Sequence, residues 1–202
     1  MMEPWKIEQV YLDQGFHTIC GVDEAGRGPL AGPVIAAEVI LPREMPFDGL
    51  DDSKKLSVKQ REVLFEQICK SALSYGIGLA DEMEIDTHNI LNATYLAMNR
   101  AIENLNTLPD MCLIDGNRAT GIVYPNTTIV GGDGKSISIA AASILAKVYR
   151  DRLMEKLDAQ YPAYGFAKHK GYPTKAHYEA LQQHGISAVH RKSFLKKWEA
   201  GR

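Results

Sequence analysis

Short apolar runs alternate with amphipathic stretches along the chain, and this alternation predicts the order of the secondary structure. Five runs rich in β-branched and other apolar residues predict strands, at 18–22, 34–41, 75–80, 111–114 and 127–130. Glycine and proline between the first two strands favour a hairpin-like return. Because helical segments separate most of the later strands, the order predicts an α/β fold with a mixed sheet.

Capping residues and apolar positions three or four residues apart predict the helices. Ser57 is a candidate N-cap for one helix, and Asp86 or Thr87 is the candidate N-cap for the next. The apolar face of the first of these helices is predicted to contain Val63, Leu64, Ile68 and Leu73. Further helices are predicted over 138–157, 174–183 and about 194–200.

Length and composition place the chain among globular proteins of one domain. It has 202 residues, 45% of them hydrophobic and 24% charged, which excludes the disordered, collagen-like and coiled-coil classes. We expect a domain over 1–160 and a helical extension over 161–202 packed on it.

The sequence has no apolar run long enough for a membrane span, and its charged N-terminus does not look like a secretory signal. Three cysteines without a C-x-x-C pair fit a reducing cytoplasm.

Charge is distributed unevenly along the chain, although the net charge is only −2. Residues 147–202 contain twelve Lys and Arg against five Asp and Glu, whereas residues 1–146 contain eleven against twenty. A basic C-terminal region attracts polyanions such as nucleic acids. A solvated, lysine-rich helical surface explains the same excess, and on charge alone it is the more common explanation.

Three of the predicted strands end at or just before an acidic residue beside glycine. These residues are Asp23 with Glu24, Asp115 and Asp133. Ligands collect at strand ends in open α/β sheets, and carboxylates that meet there repel one another unless a cation is bound. Oxygen ligands without Cys or His favour Mg²⁺ or Mn²⁺ over Zn²⁺. Asp and Gly are also ordinary turn residues, so any single Asp-Gly pair has a structural explanation.

Two glycine-containing segments resemble nucleotide-binding motifs but fail in context. The segment from Gly26 to Ala31 fits G-x-G-x-x-A, yet prolines and a β-branched run follow it instead of a helix. Gly134-Lys135-Ser136 resembles the end of a P-loop, but position 129, where that motif needs its first glycine, is isoleucine. We therefore reject both a dinucleotide site and a P-loop.

Aromatic and basic residues interleave between positions 161 and 173. Such a segment suits stacking on sugars or bases together with phosphate contacts. A loop that packs its Tyr and Phe side chains against the core explains the pattern equally well. The same region holds four histidines, which are more often surface or capping residues than proton carriers: His169, His177, His184 and His190.

Five sequence blocks, taken in order, resemble the type 2 ribonucleases H in their bacterial ribonuclease HII form. They are GVDEAGRGPLAGPV at 21–34, DSKKL at 52–56, IDGN at 114–117, AAASILAKVYRD at 140–151 and HKGYP at 169–173. The segment HRKSF at 190–194 resembles the end of the family's sequences. The resemblance extends over about residues 18–195, which is nearly the whole chain.

The resemblance implies a ribonuclease H-like fold, with a five-stranded mixed sheet flanked by helices and a C-terminal helical extension. It also implies an endonuclease that hydrolyses RNA in RNA–DNA hybrids and cuts at single ribonucleotides embedded in duplex DNA. At the matching positions, the catalytic and metal-binding carboxylates would be Asp23, Glu24, Asp115 and Asp133. Asp151 is an alternative to Asp133.

The same resemblance assigns the substrate-binding residues. The Gly26-Arg27-Gly28 turn would read the 2′-hydroxyl groups around the RNA-to-DNA junction, and glycine lets the backbone approach the minor groove closely. Tyr172 would stack on the deoxyribose after the junction, with Tyr164 as the alternative tyrosine. Candidates for phosphate contact are Arg27, Lys54, Lys55, Lys168, Lys170 and Arg191.

Four carboxylates suit phosphodiester hydrolysis by two divalent ions, Mg²⁺ or Mn²⁺, which activate water and stabilise the leaving oxygen. Because external water attacks, the products should carry 5′-phosphate and 3′-hydroxyl ends. We expect a cytoplasmic monomer that binds RNA–DNA hybrids and ribonucleotide-containing duplex DNA and does not bind membranes.

Three other functions are weighed against this one. A catalytically silent RNA–DNA binding module shares the basic C-terminus but has no use for four converging acids. A phosphatase or DNA nuclease on the same fold would use the acids, and an all-DNA duplex as control separates it. A two-carboxylate glycosidase would not explain the Gly-Arg-Gly turn or the basic C-terminus. Incubation of a labelled hybrid with magnesium discriminates between binding and cleavage.

Overall fold

A five-stranded mixed sheet forms the centre of the molecule in the computed structural model, which describes residues 5–43, 50 and 56–201. The strand order across the sheet is β3-β2-β1-β4-β5. The strands are β1 Ile19–Ala25, β2 Val34–Ile40, β3 Ser74–Ala80, β4 Met111–Asp115 and β5 Asn126–Ile129. All five strands predicted from the sequence are present, with bounds that differ by a few residues at most.

The direction of the strands brings the ends of β1 and β4 to one edge of the sheet. β1 pairs antiparallel with β2, as the predicted return requires, and β2 pairs antiparallel with β3. β1 pairs parallel with β4, and β4 pairs parallel with β5. In the β1–β4 pair, Val22 is opposite Ile114. Asp23 and Asp115, the next residue along each strand, therefore lie at the same edge.

Helices cover both faces of the sheet. Within the described residues they are α1 Lys6–Leu12, α2 Val58–Ser71, α3 Glu82–Glu103, α4 Ile137–Gln160, α5 Phe166–His169, α6 Lys175–His184 and α7 Lys192–Ala200. On one face, α3 packs against β1 and β2 through a buried apolar cluster that includes Cys20, Val22, Ala36, Ile85, Met98 and Ile102. On the other face, α2 and α4 pack through Ile35, Ala37, Leu64, Ile68, Ile144 and Leu145.

The contact between α4 and β1 depends on a glycine beside the acidic strand end. A Cβ atom at Gly21 would collide with the backbone of Ser138 and Ile139 in the first turn of α4. Glycine therefore lets the helix lie directly on the strand. This close approach brings α4 next to Asp23, two residues further along β1.

A third apolar cluster connects the C-terminal helices to the rest of the chain. It includes Leu30, Ala31 and Met154 together with Phe166, Leu181 and Leu195 from α5, α6 and α7. The helical character predicted for 161–202 is present, but α4 runs continuously to Gln160 before it. The domain boundary at 160 stays a prediction.

The predicted N-caps were correct in one case and wrong in the other. Ser57 caps α2, and its side chain forms a reciprocal capping box with Gln60. α3 begins earlier than predicted, at Glu82, with Asp81 as its N-cap. Asp86 instead accepts hydrogen bonds from the backbone amides of Lys192 and Ser193, so it caps α7.

Two further differences concern helices at the periphery. α1 was not predicted, because its seven residues are too few for a helical period of apolar positions to be recognised. In α2, Leu64 and Ile68 are buried as predicted, but Val63 is exposed. Leu73 is also exposed and lies beyond the end of α2.

In the part of the chain that the structure describes, no helix has both the length and the apolar character needed to cross a membrane.

Candidate active site

Asp23 lies almost fully buried at the end of β1, where its carboxylate receives two hydrogen bonds. Its Oδ1 accepts a hydrogen bond of 2.7 Å from the amide of Glu24, and the Ser143 side chain of α4 hydrogen-bonds to the same carboxylate. Burial raises the pKa of Asp23 well above its usual value, and the charges of Glu24 and Asp115 raise it further. The two hydrogen bonds lower that pKa but do not offset the burial.

Glu24 lies on the opposite face of β1 from Asp23, as strand alternation requires. It lines a cleft of about 300 Å³ together with Asp115 and residues of α3, including Tyr95. Arg27 donates to the Glu24 carboxylate at 3.3 Å. Burial raises the pKa of Glu24, Arg27 partly reverses this, and Asp115 adds to the rise. Both neighbouring acids of β1 therefore interact with Asp115, one from each face.

Asp115 connects the end of β4 to the turn that carries Asp133. Its Oδ1 accepts a hydrogen bond of 2.7 Å from the amide of Gly132. Gly132 begins a short 3₁₀ turn, Gly132–Gly134, and the Asp133 side chain in this turn is buried. Gly131, which precedes it, has a φ of 62°, in the left-handed region that favours glycine. Asp133, the fourth predicted acid, therefore directly follows the residue whose amide binds Asp115.

Asp23, Glu24 and Asp115 are close enough for their charges to raise the pKa of Asp23 and of Glu24, but they do not form a complete metal site. Among the described residues, no three Asp, Glu, His or Cys side chains are grouped tightly enough to hold a metal ion as they stand. The donors at this edge are all carboxylate oxygens, the ligands that Mg²⁺ and Mn²⁺ prefer. A divalent cation would relieve the repulsion that raises the pKa of Asp23 and of Glu24. The chemistry of these donors therefore fits such an ion, although the side chains would have to move closer together to bind it.

Asp151, the alternative to Asp133, is engaged elsewhere. Its Oδ1 accepts a 2.7 Å hydrogen bond from Lys147, one turn earlier on α4. Asp133, by contrast, is buried in the turn whose Gly132 amide binds Asp115. The geometry therefore favours Asp133 over Asp151.

Arg191 binds the backbone carbonyl groups of the Gly26-Arg27-Gly28 turn from inside the protein. Its guanidinium donates to the carbonyl oxygens of Gly26 at 2.6 Å, Arg27 at 3.1 Å and Gly32 at 2.7 and 2.9 Å. The residue is 0% exposed, so the predicted contact between Arg191 and a substrate phosphate is wrong. The sequence could not distinguish a buried arginine from a surface one, because both occur in basic segments.

Arg150, a residue to which the sequence assigned no role, supports the same region. From α4 it donates to the carbonyl oxygens of Pro33, Ala31 and Lys170, at 3.0 to 3.2 Å. Burial lowers the pKa of Arg150 to about 10. Burial, and then the charge of Arg150, lower the pKa of Arg191 to about 9. The one signal in the sequence was a basic residue on the otherwise buried side of an alanine-rich helix.

Tyr172 and Tyr164 occupy different environments, which separates the two candidate tyrosines. The Tyr172 ring is half-exposed, and a Cβ atom at Gly28 would lie 3.6 Å from it. Tyr164 is buried, stacks on Phe166 with ring centroids 5.4 Å apart, and donates its hydroxyl to the Gly185 carbonyl. The structure therefore brings Tyr172 to the Gly-Arg-Gly turn and uses Tyr164 in the core.

The remaining predicted basic residues differ in how available they are. Arg27 keeps a half-exposed side chain beside Glu24, and Lys168 is exposed. Lys170 is largely covered and forms an ion pair of 2.7 Å with Glu155. Lys54 and Lys55 lie outside the described residues.

The strand order, the parallel β1–β4 pair and the carboxylates at its end define a nuclease of the ribonuclease H-like fold. Residues 20–197 match the family described as ribonuclease HII. The chain belongs to that family, and with it to the ribonuclease H endonucleases, which act on RNA–DNA substrates and depend on divalent metal ions.

Curated relatives and solved structures agree with this assignment. The chain is 56% identical over 184 residues to "Ribonuclease HII" of Clostridioides difficile, covering 91% of this chain and 72% of that one. It is 54% identical to "Ribonuclease HII" of Endomicrobium trichonymphae, covering 94% and 91%. The ribonuclease H2 structure from Pyrococcus horikoshii OT3 matches with a TM-score of 0.73 and 30% identity, covering 88% and 93%.

A more distant structure shares only the fold. The "Bst-RNase HIII in complex with Mn2+" matches with a TM-score of 0.66 and 19% identity, covering 83% of this chain and 63% of that one. That protein was solved with manganese.

Proposed function

We propose that this chain hydrolyses the RNA strand of RNA–DNA hybrids and cuts at single ribonucleotides embedded in duplex DNA. The observation that supports the proposal is the placement of Asp23, Glu24 and Asp115 at one end of the sheet, where burial and then like charges raise the pKa of Asp23 and of Glu24. Buried like charges cost stability, so their presence indicates that a cation is bound there during function. The products should carry 5′-phosphate and 3′-hydroxyl ends, because water is the attacking group.

Asp23, Glu24, Asp115 and Asp133 would hold the divalent ions, Mg²⁺ or Mn²⁺. When bound, such ions supply activation of water and stabilisation of the leaving 3′-oxygen. The chain contributes rigidity: Ser143 orients Asp23, and the Gly132 amide orients Asp115. These hydrogen bonds hold the carboxylates in position before substrate arrives.

The Gly26-Arg27-Gly28 turn would recognise the 2′-hydroxyl that distinguishes RNA from DNA. Arg191 occupies the carbonyl oxygens of Gly26 and Arg27. We therefore assign recognition of the 2′-hydroxyl chiefly to the amide groups of this turn. Tyr172, next to Gly28, would stack on the sugar that follows the junction. Arg27, Lys168 and Lys170, together with Lys54 and Lys55, would contact phosphates.

Cleavage of a labelled duplex that contains one ribonucleotide tests the proposal. With magnesium, we expect a single cut at the ribonucleotide, products with 3′-hydroxyl and 5′-phosphate ends, and no cut in an all-DNA duplex. Binding without cleavage would identify a silent binding module, and cleavage of the all-DNA duplex would identify a general DNA nuclease. The Asp23→Asn variant serves as control, because it should retain hybrid binding and lose cleavage.

We also propose that the chain acts as a monomer in the cytoplasm, without contact with membranes. The cytoplasmic location rests on the three free cysteines, which fit a reducing compartment. Size-exclusion chromatography with light scattering tests the monomer, and a mass near 45 kDa, about twice the 22.4 kDa of one chain, would contradict it.

A further inference from the structure

Two buried histidines are connected by hydrogen bonds to the backbone of Tyr172, and the proposed function does not use them. His177 on α6 and His190 just before α7 are 0% and 2% exposed. They pack against the Phe166 ring, with centroids 5.6 Å from each of them. His169 stacks on His177 with ring centroids 4.5 Å apart. An imidazole cluster in this position needs a reason, because it removes several polar nitrogens from water.

Hydrogen bonds satisfy every nitrogen of the pair and give the chain of bonds one direction. The Ser187 amide lies 3.0 Å from His190 Nδ1, and the Ser187 hydroxyl lies 2.7 Å from it. Because the amide can only donate, that nitrogen carries no proton. The proton of neutral His190 is therefore on Nε2, which lies 3.0 Å from His177 Nε2. His177 Nε2 must accept, so His177 carries its proton on Nδ1, which donates to the Tyr172 carbonyl at 3.0 Å. An amide at one end and a carbonyl at the other fix both tautomers.

His169 holds the other side of the same loop with the same logic. The Gly171 amide donates to His169 Nδ1 at 3.2 Å, and His169 Nε2 donates to the Tyr164 carbonyl at 2.8 Å. The loop backbone needs this support, since Lys170 is a non-glycine residue with a φ of 50°. Arg150 binds the Lys170 carbonyl, and the Leu30 amide donates to the Gly171 carbonyl at 2.8 Å.

We propose that His190 and His177, both neutral, are positioning residues that hold Tyr172 against the Gly26-Arg27-Gly28 turn for substrate contact. This inference rests on the proposed function, because it gives the histidines a purpose only if Tyr172 contacts substrate. The path has three links: the Ser187 amide, the two imidazoles, and the Tyr172 carbonyl. Loss of any link removes the hydrogen bond from His177 to the Tyr172 carbonyl and leaves that carbonyl with only the Thr174 amide, at 2.8 Å, as donor.

Protonation of either histidine would break the path. A proton on His177 Nε2 would face the N–H of His190, and a proton on His190 Nδ1 would face the Ser187 amide. Burial lowers the pKa of His177, and burial together with His177 lowers the pKa of His190 to about 4. The pair therefore stays neutral at neutral pH.

Within the part of the chain that the structure describes, no carboxylate hydrogen-bonds to the pair or shifts the pKa of either histidine. The titratable groups that contact the pair are His169, which stacks on His177, and Tyr164, whose ring centroid lies 4.9 Å from that of His190. Asp86 is engaged by the amides at the start of α7. An added proton would consequently be poorly stabilised, and the substrate contact should weaken as the pH falls.

Nitrogen-15 spectra of the histidine side chains test the path without any activity. We expect the Nδ1–H tautomer for His177 and the Nε2–H tautomer for His190 at pH 7.5, in a well-folded chain. The opposite tautomers, or a cationic imidazole at that pH, would overturn the proposal.

Kinetics on the duplex with one ribonucleotide test the purpose of the path. His190→Ala should raise KM about tenfold, the size expected for loss of one stacking contact, with kcat nearly unchanged. His190→Gln should restore most of this loss, because its amide nitrogen can replace the Nε2–H donor. When the pH is lowered from 7.5 to 5.5, the KM of this variant should rise less than the KM of the unaltered chain. His88→Gln, on the exposed side of α3, is the matched control and should behave as the unaltered chain.

A double variant distinguishes positioning from general damage. If His190 acts through Tyr172, then adding His190→Ala to Tyr172→Ala should cause little further loss. Independent, multiplying losses would overturn the proposal, as would a KM of His190→Ala equal to that of the unaltered chain. If Tyr172→Ala itself cleaves normally, the role of Tyr172 in the proposed function fails, whereas failure of the histidine variants alone refutes only the positioning path.

Discussion

Asp23 and Asp115 lie one residue beyond a paired position on two adjacent parallel strands. Burial raises the pKa of Asp23, and the charges of Glu24 and Asp115 raise it further. Parallel pairing in register places both carboxylates at the same end of the sheet. Glu24 joins them from the other face of β1. A local arrangement of three acids thus follows from strand order alone.

The first prediction concerns stability without metal. Because the folded state raises the pKa of Asp23, ionisation of this residue opposes folding, and its cost grows as the pH rises above the residue's usual pKa. Asp23→Asn removes that cost, so in EDTA at pH 7.5 its Tm should exceed that of the unaltered chain by about 3 °C, roughly 1 kcal/mol. Differential scanning calorimetry measures the difference.

Magnesium provides the control for this experiment. Added Mg²⁺ should raise the Tm of the unaltered chain, because an ion that binds only the folded state stabilises it, and should raise that of Asp23→Asn much less. Cleavage should be abolished in the variant while hybrid binding remains. A variant that is less stable than the unaltered chain in EDTA would contradict the repulsion argument.

The second prediction separates two arginines that the sequence treated alike. Arg27 has a half-exposed side chain, whereas the Arg191 guanidinium is buried among the carbonyl groups of the turn. Arg27→Ala should weaken hybrid binding and reduce the slope of log K against log salt by about 1, because one phosphate contact is lost. Fluorescence anisotropy over a salt series measures this slope.

Arg191→Ala should act on folding instead. It leaves several buried carbonyl groups without donors, so urea denaturation should show a loss of about 3 kcal/mol or more. Arg191→Lys should restore little, since one ammonium group cannot reach the carbonyls that the guanidinium fork joins. If Arg191→Ala lowers the salt slope by as much as Arg27→Ala does, the burial argument is wrong.

The third prediction concerns the two tyrosines. Tyr172→Ala should reduce cleavage at a single embedded ribonucleotide by about tenfold or more with little change in Tm, since its ring is half-exposed beside Gly28. Tyr164→Ala should lower stability by about 3 kcal/mol, because it leaves a cavity beside Phe166. Steady-state kinetics and thermal unfolding of both variants provide the comparison, and equal kinetics for Tyr172→Ala and the unaltered chain would show that Tyr172 only packs.

How far the sequence predicts this structure depends on whether the signal is local. All five strands follow from short apolar runs, and the Ser57 cap follows from a residue three positions from its partner. Asp86 was assigned to its own helix because a capping side chain has no visible partner in sequence, yet the amides that it caps are more than a hundred positions away. Long-range partners of polar side chains are fixed only by the tertiary fold.

The candidate site shows the same division. The acids could be proposed because strand ends in a sheet converge, and the resemblance to a family supplied the rest. The buried roles of Arg191 and Arg150 were not proposed, because a guanidinium that binds backbone carbonyls has no partner side chain that the sequence could reveal. Similarly, α1 is anchored by Glu8, whose carboxylate accepts from Ser136 and from the Ser138 amide at the start of α4.

The fourth prediction concerns Gly26, where two requirements for glycine coincide. Its φ is 97°, and a Cβ atom there would collide with the Arg150 guanidinium. Gly15 has a similar φ of 93° but open space around it, so Gly15→Ala isolates the cost of backbone strain, about 1 kcal/mol.

Gly26→Ala should cost this amount and in addition push Arg150 away from the carbonyls that it holds. We therefore expect Gly15→Ala to retain cleavage and Gly26→Ala to lose it by about a hundredfold, the effect expected when a binding group is displaced by about 1 Å. Equal cleavage rates for the two variants would show that Arg150 does not fix the geometry of the turn.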